Sequence, residues 1–487
     1  MTSQPDLYGV DRHDSPARFL LSRAQRLVAV LAVGAALAGS VLDPRTTLVV
    51  FAVTGTLIYL SVSGFKAWLI TAAYRRARRV GTPPPPPRLA EADLPTYTVL
   101  VPMYREGNVV TRLVSHLSRL DYPQDRHEIL LLIEEDDEDT LSALRGTPLP
   151  PQFEVVLCPP GEPRTKPRAC NVGLAQATGE LCVIYDAEDR PALDQLRLAA
   201  ETFASSDERV ICLQGRLDYH NHRHNWLTRF FTVEYNHWFD LLLPALAEKC
   251  LPIPLGGTSN HFQVWALRDL HGWDPYNVTE DADLGVRIFA AGGRTAMLDS
   301  VTLEEACSQP VAWTKQRTRW IKGYLQTWAV HSRRGSTVRR EGGWRGVVAM
   351  HLLLGGTPLV NALNPLFWAV CLLFAATRAG WVIGLFPGPV LYVAAASLVI
   401  GNFCFCYLNL IAVVNRERWH LVHAALFTPF YWLLMSVATL RAISQLVTGL
   451  HTWEKTPHGL SGGDTDPAGQ ELGLLAPVDK RVLVGQR

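Results

Sequence analysis

Four groups of carboxylates in this 487-residue chain stand where they could do chemistry. Asp186-Ala187-Glu188-Asp189 follows directly on the apolar run Leu181 to Tyr185. Carboxylates at i and i+2 just past a strand, as in Asp186 and Glu188, can reach one hard cation, and Mg²⁺ or Mn²⁺ takes such oxygen ligands while bridging to substrate phosphates. An isolated Asp-x-Glu also occurs by chance. Lys166 and Asn171 lie just upstream and could meet the anionic or ribosyl part of the same ligand. Thr279-Glu280-Asp281 precedes a helical pattern of Leu284, Val286, Ile288 and Phe289. Thr279 as N-cap with acids in the first turn accounts for it structurally. A carboxylate held at a helix start can also serve as a general base, so both readings can hold. Glu134 to Asp139 places six carboxylates in a row after the run Ile129 to Ile133. A solvated acidic loop and a ligand site at a strand end weigh about equally there. The fourth group is the single Glu106, in Val101-Pro102-Met103-Tyr104-Arg105-Glu106-Gly107.

One further segment joins these. Trp313, Trp320, Tyr324, Leu325 and Trp328 share a helical face, with Lys315, Arg317, Arg319 and Lys322 between them. That pattern predicts an amphipathic interfacial helix, aromatics at headgroup level and basic side chains toward lipid phosphates. Within it stands Gln316-Arg317-Thr318-Arg319-Trp320. A Trp face also makes a platform for a sugar ring, and Arg can grip a diphosphate bidentately.

Alternating strands and helices must position these groups. Thr98 to Val101, Ile129 to Ile133, Phe153 to Leu157, Leu181 to Tyr185 and Val210 to Leu213 read as strands. Helical spacing marks Val109 to Leu117 and Ala169 to Ala177. The alternation predicts a mostly parallel α/β sheet over about 96–330, with ligands at the carboxyl ends of its strands.

Apolar runs flank this region. Leu27 to Leu42 and Leu48 to about Ala73 read as a transmembrane hairpin around Asp43-Pro44-Arg45. Gly346 to Ala376, Pro389 to Val414 and Leu421 to about Val447 are the later blocks. The first of these, holding Asn361, Asn364 and Pro365, reads as one long span or a tight hairpin; Pro429 bends the third toward the interface. Arg18, Arg23 and Arg26, then Arg75, Arg76, Arg78 and Arg79, bracket the hairpin. Arg333, Arg334, Arg339, Arg340, Arg345, Arg416 and Arg418 fill the later loops. By the positive-inside rule these face the cytoplasm. Five or six spans are expected, an even number returning Trp453 to the cytoplasm. Residues 1–16 and the tail after about Leu460 read as unstructured, and Pro83 to Pro87 as a stiff spacer. No cleaved signal is evident.

Composition sets outer limits. Lys plus Arg is 46 against 45 for Asp plus Glu, a net charge of +1, which argues against a nucleic-acid binder working by bulk charge. Hydrophobic residues make up 48%, which excludes disorder over the whole chain. Nine Cys, of which only Cys404 and Cys406 are close together, suit a reducing compartment.

Taken in order, and flanked by apolar runs, these motifs resemble the membrane-embedded family 2 glycosyltransferases, the group of cellulose, chitin and hyaluronan synthases. The family's pattern is Asp, Asp-x-Asp and Thr-Glu-Asp, then Gln-x-x-Arg-Trp. The resemblance covers about residues 27–456. It implies a GT-A-type, Rossmann-like α/β cytosolic domain between N- and C-terminal transmembrane helices. The divisions are an N-terminus (1–26), hairpin (27–74), basic and Pro-rich linker (75–95), transferase domain (96–310), interfacial helix and basic loop (311–345), three or four helices (346–450) and tail (451–487). Pro102, Tyr104, Glu106, Glu134 and Glu135 would hold the uridine of a UDP-sugar. Asp186 and Glu188 would bind diphosphate and Mg²⁺ or Mn²⁺, with Lys166 beside them. Asp281, with Glu280, would deprotonate the acceptor hydroxyl. Gln316, Arg319 and Trp320 would shape the acceptor site and grip the diphosphate. Gly257 and Thr258 would stand beside the acceptor end. Trp453, Lys455 and Thr456 would cover bound nucleotide. Glu134-Glu135-Asp136 replaces the usual Asp-Asp-Gly. Asp-x-Glu replaces Asp-x-Asp and leaves Glu188 or Asp189 as second ligand. The Phe-x-Val-Thr gating motif of cellulose synthases is absent.

The implied reaction is inverting transfer from a nucleotide-sugar to a growing β-linked polysaccharide at the cytoplasmic face of a multi-pass membrane protein. The alternative is non-processive transfer to a lipid such as diacylglycerol. Membrane lipids are the expected surroundings, and nucleic acid is not an expected partner. A catalytically dead binding module and a plain transporter are rivals. The intact Asp281 and Trp320 oppose the first, and the large α/β region opposes the second.

Overall fold

The computed structural model describes residues 16–80, 84–333, 335–386 and 388–449. Its centre is one eight-stranded sheet. The strands are β1 (Tyr97–Met103), β2 (His127–Glu134), β3 (Phe153–Cys158), β4 (Leu181–Ile184), β5 (Arg190–Pro191), β6 (Val210–Tyr219), β7 (Asn260–Gln263) and β8 (Arg294–Glu304). Their order is β3-β2-β1-β4-β7-β6-β8-β5. The half containing β1 to β4 is parallel, as the strand–helix alternation predicts. The other half is mixed, yet six of the eight strands run in one direction, so the sheet is mostly parallel as expected. Strand β7 runs antiparallel to both β4 and β6, while β6 and β8 are parallel. It is only four residues long and too polar to show as an apolar run.

Burial explains the parallel half. Val99, Val101, Ile129, Leu131 and Ile133 face the helix Val110–Leu117. Leu100, Leu130 and Leu132 face Ala169, Val172 and Leu174 of the helix Lys166–Gln176. Both faces being covered, these strands are continuously hydrophobic. Gly173 permits the close approach, since a Cβ there would come within 2.8 Å of Leu132.

Five helices are long and apolar enough to cross a membrane: Arg23–Leu42, Pro44–Arg76, Val338–Thr377, Pro389–Asn415 and Thr428–Thr448. The first two form the expected hairpin. After a break at Gly343 the chain is continuously helical from Trp344 through Pro365 to Thr377, so of the two readings the tight hairpin is excluded. Buried ion pairs join the last part of the chain to the sheet. Arg416 reaches Asp218 at 2.9 Å and Asp240 at 2.7 Å, and Arg418 reaches Asp218 at 2.7 Å.

The helix Pro310–Arg333 differs from its amphipathic reading. Trp313, Arg317 and Lys322 are all buried inside the protein, and only the partner elements explain why. The helix Thr428–Thr448 lies along it in the same direction. Trp313 Nε1 donates to the Tyr431 hydroxyl at 3.2 Å, Thr318 Oγ1 to the Ala438 carbonyl at 3.4 Å and Lys322 Nζ to the Gly449 carbonyl at 3.2 Å. The aromatics therefore pack against protein, and Arg317 and Lys322 do not face lipid.

Candidate active site

The carboxyl ends of β1, β2 and β4 open into a cavity of about 640 Å³. Pro102, Tyr104, Glu106, Glu134, Lys166, Asp186 and Glu188 line it, as do Gly257, Thr258, Glu280, Asp281, Gln316, Arg319 and Trp320. Residues as far apart in sequence as Pro102 and Trp320 are thus brought to one space. Glu135 is the exception: it is exposed and outside the wall. Trp453, Lys455 and Thr456, with residues 1–15 and the tail, lie outside the described residues.

The turn after β4 sorts its three acids. Asp189 is buried; its Oδ2 accepts from the Asp186 backbone N–H at 2.8 Å and from the Thr258 hydroxyl. Burial and the neighbouring Asp186 push its pKa well above the carboxylate range. Asp189 is therefore a brace for the turn. Asp186 and Glu188 face the cavity. Lys166 Nζ bonds Asp186 and donates to the Gly257 carbonyl at 2.7 Å. Burial opposes the ammonium charge, but Asp186 and Glu280 outweigh it and raise its pKa.

Glu280 and Asp281 begin the helix Glu280–Ala290. Thr279 occupies the N-cap position, but its side chain makes no capping hydrogen bond, which corrects the capping reading. It is packed against the helix Pro310–Arg333 instead, where a Cβ on Gly323 would fall 2.4 Å from Thr279 Cγ2. The same helix holds the loop through Gln326, whose Oε1 accepts from the Val278 N–H at 3.2 Å. Thr327 accepts from Asn277 Nδ2 at 2.9 Å. Burial first and Glu280 second push the Asp281 pKa up to about 7. A carboxylate so poised can take and return a proton near neutral pH. Gly257 stands in front of it, since a Cβ there would lie 3.4 Å from Asp281 Oδ2 and 3.9 Å from Lys166 Nζ. Arg319 completes this group, its guanidinium pKa lowered by burial against the pull of Glu280, Asp186 and Asp281.

Two groups pack on Trp320: Tyr235 stacks on it with centroids 6.2 Å apart, and the Arg317 guanidinium carbon lies 4.5 Å from its ring centre. Arg317 pairs with Glu234, which also accepts from the Tyr431 hydroxyl at 2.6 Å.

The acidic run Glu134 to Asp139 divides its labour. Glu134 lies in the cavity wall 3.6 Å from Arg168, Asp136 pairs with Arg164 at 2.5 Å, and Glu138 pairs with Arg145 at 2.7 Å. Asp137 is buried, accepting from the Arg105 N–H at 2.6 Å. Most of the run is thus neither free anion nor ligand.

Residues 181–447, over half the chain, match the glycosyl transferase family group 2, and residues 98–263 match glycosyl transferase family 2. The chain belongs to glycosyl transferase family group 2. The chain is 27% identical over 238 residues to the probable glycosyltransferase YdaM of Bacillus subtilis, covering 47% of this chain and 56% of that one. It is 28% identical over 300 residues to the beta-monoglucosyldiacylglycerol synthase of Synechocystis sp., covering 57% and 60%. The chain thus spans little more than half the length of these curated relatives. The mannosyltransferase PcManGT from Pyrobaculum calidifontis, solved with GDP-Man and Mn²⁺, superposes with a TM-score of 0.52 at 20% identity over 81% of this chain and 99% of that one. That likeness shows the GT-A fold.

The transferase cavity also has walls that the motifs did not point to. Glu304 and Glu305 follow the apolar Leu303 at the end of β8. The strand-end rule, applied to Val301 to Leu303, would have found them. Burial and then Asp189 and Asp186 push the Glu304 pKa well up. Glu234 and Tyr235 had no such signal, since they sit mid-helix.

Proposed function

We propose that this glycosyltransferase moves a hexose, with inversion, from a nucleoside-diphosphate sugar such as a UDP-hexose to an acceptor hydroxyl at the cytoplasmic face of a membrane. The observation that carries this reading is the gathering of Asp281, Arg319, Lys166 and the Asp186/Glu188 pair around one cavity. Asp281, with its pKa up to about 7, takes the acceptor proton. The acceptor oxygen then forms its bond to the anomeric carbon as the bond to the diphosphate oxygen breaks on the opposite side. Arg319 and Lys166 stabilise the charge that grows on the departing diphosphate. One displacement turns an α-linked donor into a β-linked product.

Among the described residues, no group of three or more His, Cys, Asp or Glu is arranged to hold a metal by itself. Two cavity-facing carboxylates at a strand end fit a cation that shares its coordination with phosphate oxygens. Asp186 and Glu188 would hold Mg²⁺ or Mn²⁺, which would neutralise diphosphate charge. Pro102, Tyr104, Glu106 and Glu134 would receive the nucleoside. Trp320 and Gln316 would receive the acceptor, beside Gly257 and Thr258.

Two acceptors fit this chemistry. Gln316-Arg317-Thr318-Arg319-Trp320 supports a growing β-linked polysaccharide. A lipid acceptor is supported by the walls of the cavity, which continue past Trp320 among four of the apolar helices, and by the likeness to the Synechocystis lipid synthase.

The test is a panel of radiolabelled UDP- and GDP-hexoses with the purified protein in lipid nanodiscs and Mg²⁺ or Mn²⁺. Asp281→Asn is expected to lower transfer by about 10²–10⁴-fold with little change in donor KM. Unchanged transfer by that variant would sink the assignment of the base.

A further inference from the structure

The cavity does not stop at the α/β domain. Its far arm is walled by Tyr59, Ser63 and Lys66 of the helix Pro44–Val80, by Asn361 and Asn364 of Val338–Thr377, and by Asn402 and Asn409 of Pro389–Asn415. Four carboxamides and an ammonium along one space between apolar helices are costly unless something polar enters it. Two of these groups are incomplete. Asn364 and Asn402 are 6% and 5% exposed, and the Oδ1 atom of each has no hydrogen-bond partner among the described residues. Asn402 uses its Nδ2 on the Tyr59 hydroxyl at 3.0 Å, which leaves the oxygen for a donor from elsewhere. His237 Nδ1, on the same wall, is also buried without a hydrogen-bond partner among the described residues.

Lys66 is a third. No ion pair or hydrogen bond joins its ammonium to a described residue. The carboxylate that acts on it electrostatically is Glu234, and that one is already held by Arg317 and the Tyr431 hydroxyl. Its depth matters as well. Lys66 is 22 residues after Pro44, or about 33 Å along the helix, close to the thickness of a hydrocarbon core. Arg76, further along the same helix, lies 3.8 Å from Glu248 of the transferase domain. In a helix that enters the membrane at Pro44, Lys66 would stand at the level of lipid phosphates on the side of the transferase domain.

We infer that this arm binds the acceptor, and that the acceptor is a polyol phospholipid: a membrane lipid whose headgroup carries free hydroxyls beyond a phosphate. Lys66 meets the phosphate. Asn364 and Asn402 lie further from the transferase domain along the same space, beside the glycerol ester region of that lipid. One hydroxyl reaches Asp281, gives its proton to that carboxylate and forms the new bond to the anomeric carbon, while the nucleoside diphosphate leaves with the electron pair. A neutral diglyceride or a sugar chain would leave Lys66 without a counterion. This inference rests on the transferase reading above.

The experiment uses the full chain in phosphatidylcholine nanodiscs doped with phosphatidylglycerol, phosphatidylinositol or diacylglycerol, with radiolabelled UDP- and GDP-hexoses. The expected product is an organic-soluble anionic glycolipid, formed with the polyol phospholipids and not with diacylglycerol. Lys66→Met is expected to raise the KM for phosphatidylglycerol roughly tenfold, with the KM for the donor moving much less, and Lys66→Arg to restore it. Label in a neutral glycolipid or an insoluble polymer overturns the inference and leaves the transferase reading intact. So does a Lys66→Met enzyme whose lipid KM is native. Failure to release nucleoside diphosphate from any donor, to lipid or to water, overturns the transferase reading and this inference with it.

Discussion

At the scale of single residues, the site depends on a carboxylate kept out of water. Asp281 is raised to about 7 by burial and by Glu280. As the proposed base it would be active only when ionised, so kcat/KM should fall as pH drops below about 7, on a limb that Asp281→Asn removes. The same shift has a cost in stability. Folding raises this pKa, so between about 4 and 7 the folded protein holds a proton that the unfolded chain has released. Stability contributed at this position is therefore lost as pH rises through that window. Asp281→Asn should raise Tm above pH 7 relative to the native protein, and the gain should vanish near pH 4. Thermal scans across pH check this, and an equal Tm difference at both ends would contradict it. Much of this residue chemistry was legible in the sequence. Asp186, Glu188, Glu280, Asp281, Gln316, Arg319 and Trp320 announce themselves by type and spacing, and all reach the cavity. Glu135 did not, because one position past a strand end decides between cavity and solvent. Asp189 and Glu188 were indistinguishable until the Thr258 hydroxyl and the Asp186 N–H claimed Asp189.

At the scale of elements, the helix Pro310–Arg333 ties the motifs together. It carries Gln316 to Trp320 and also holds the Thr279-Glu280-Asp281 loop through Gln326, Thr327 and Gly323. Gly323→Ala should displace Thr279 and with it the base, lowering kcat about tenfold or more while donor KM changes little, as steady-state kinetics would show. Glu234→Gln should loosen Arg317, whose guanidinium lies against Trp320. The expected effect is a several-fold rise in acceptor KM with a smaller change in kcat. The sequence revealed this helix by its period but assigned its aromatic face to lipid. Periodicity shows that a face is buried and does not say against what. Here the covering element is Thr428–Thr448, more than a hundred residues away. The four-residue β7 was missed for a related reason: its partners β4 and β6 stabilise a segment that has no pattern of its own.

At the scale of the whole molecule, the net charge of +1 conceals a division of labour. Buried arginines join the apolar helices to the sheet, and carboxylates gather at the strand ends. Asp218 is fully buried between Arg416 and Arg418, which outweigh burial and lower its pKa. Asp218→Ala would leave two buried cations short of a partner and should destabilise the protein by about 3–5 kcal/mol, read as a loss of Tm in detergent. The helix Thr428–Thr448 bears on topology. Its start is tied to Glu234 through Tyr431 and its end to Lys322 through Gly449, so both ends lie beside helices of the transferase domain. The same helix is also long and apolar enough to cross a membrane.

The central claim is that Asp281 drives a single displacement on a nucleoside-diphosphate sugar. The most direct measurement is the anomeric configuration of the transferred sugar, read by NMR on product made from an α-linked donor in nanodiscs. A β-linked product with one nucleoside diphosphate released per sugar is the predicted result, together with loss of product from the Asp281→Asn enzyme. An α-linked product, or full transfer by that variant, would contradict it.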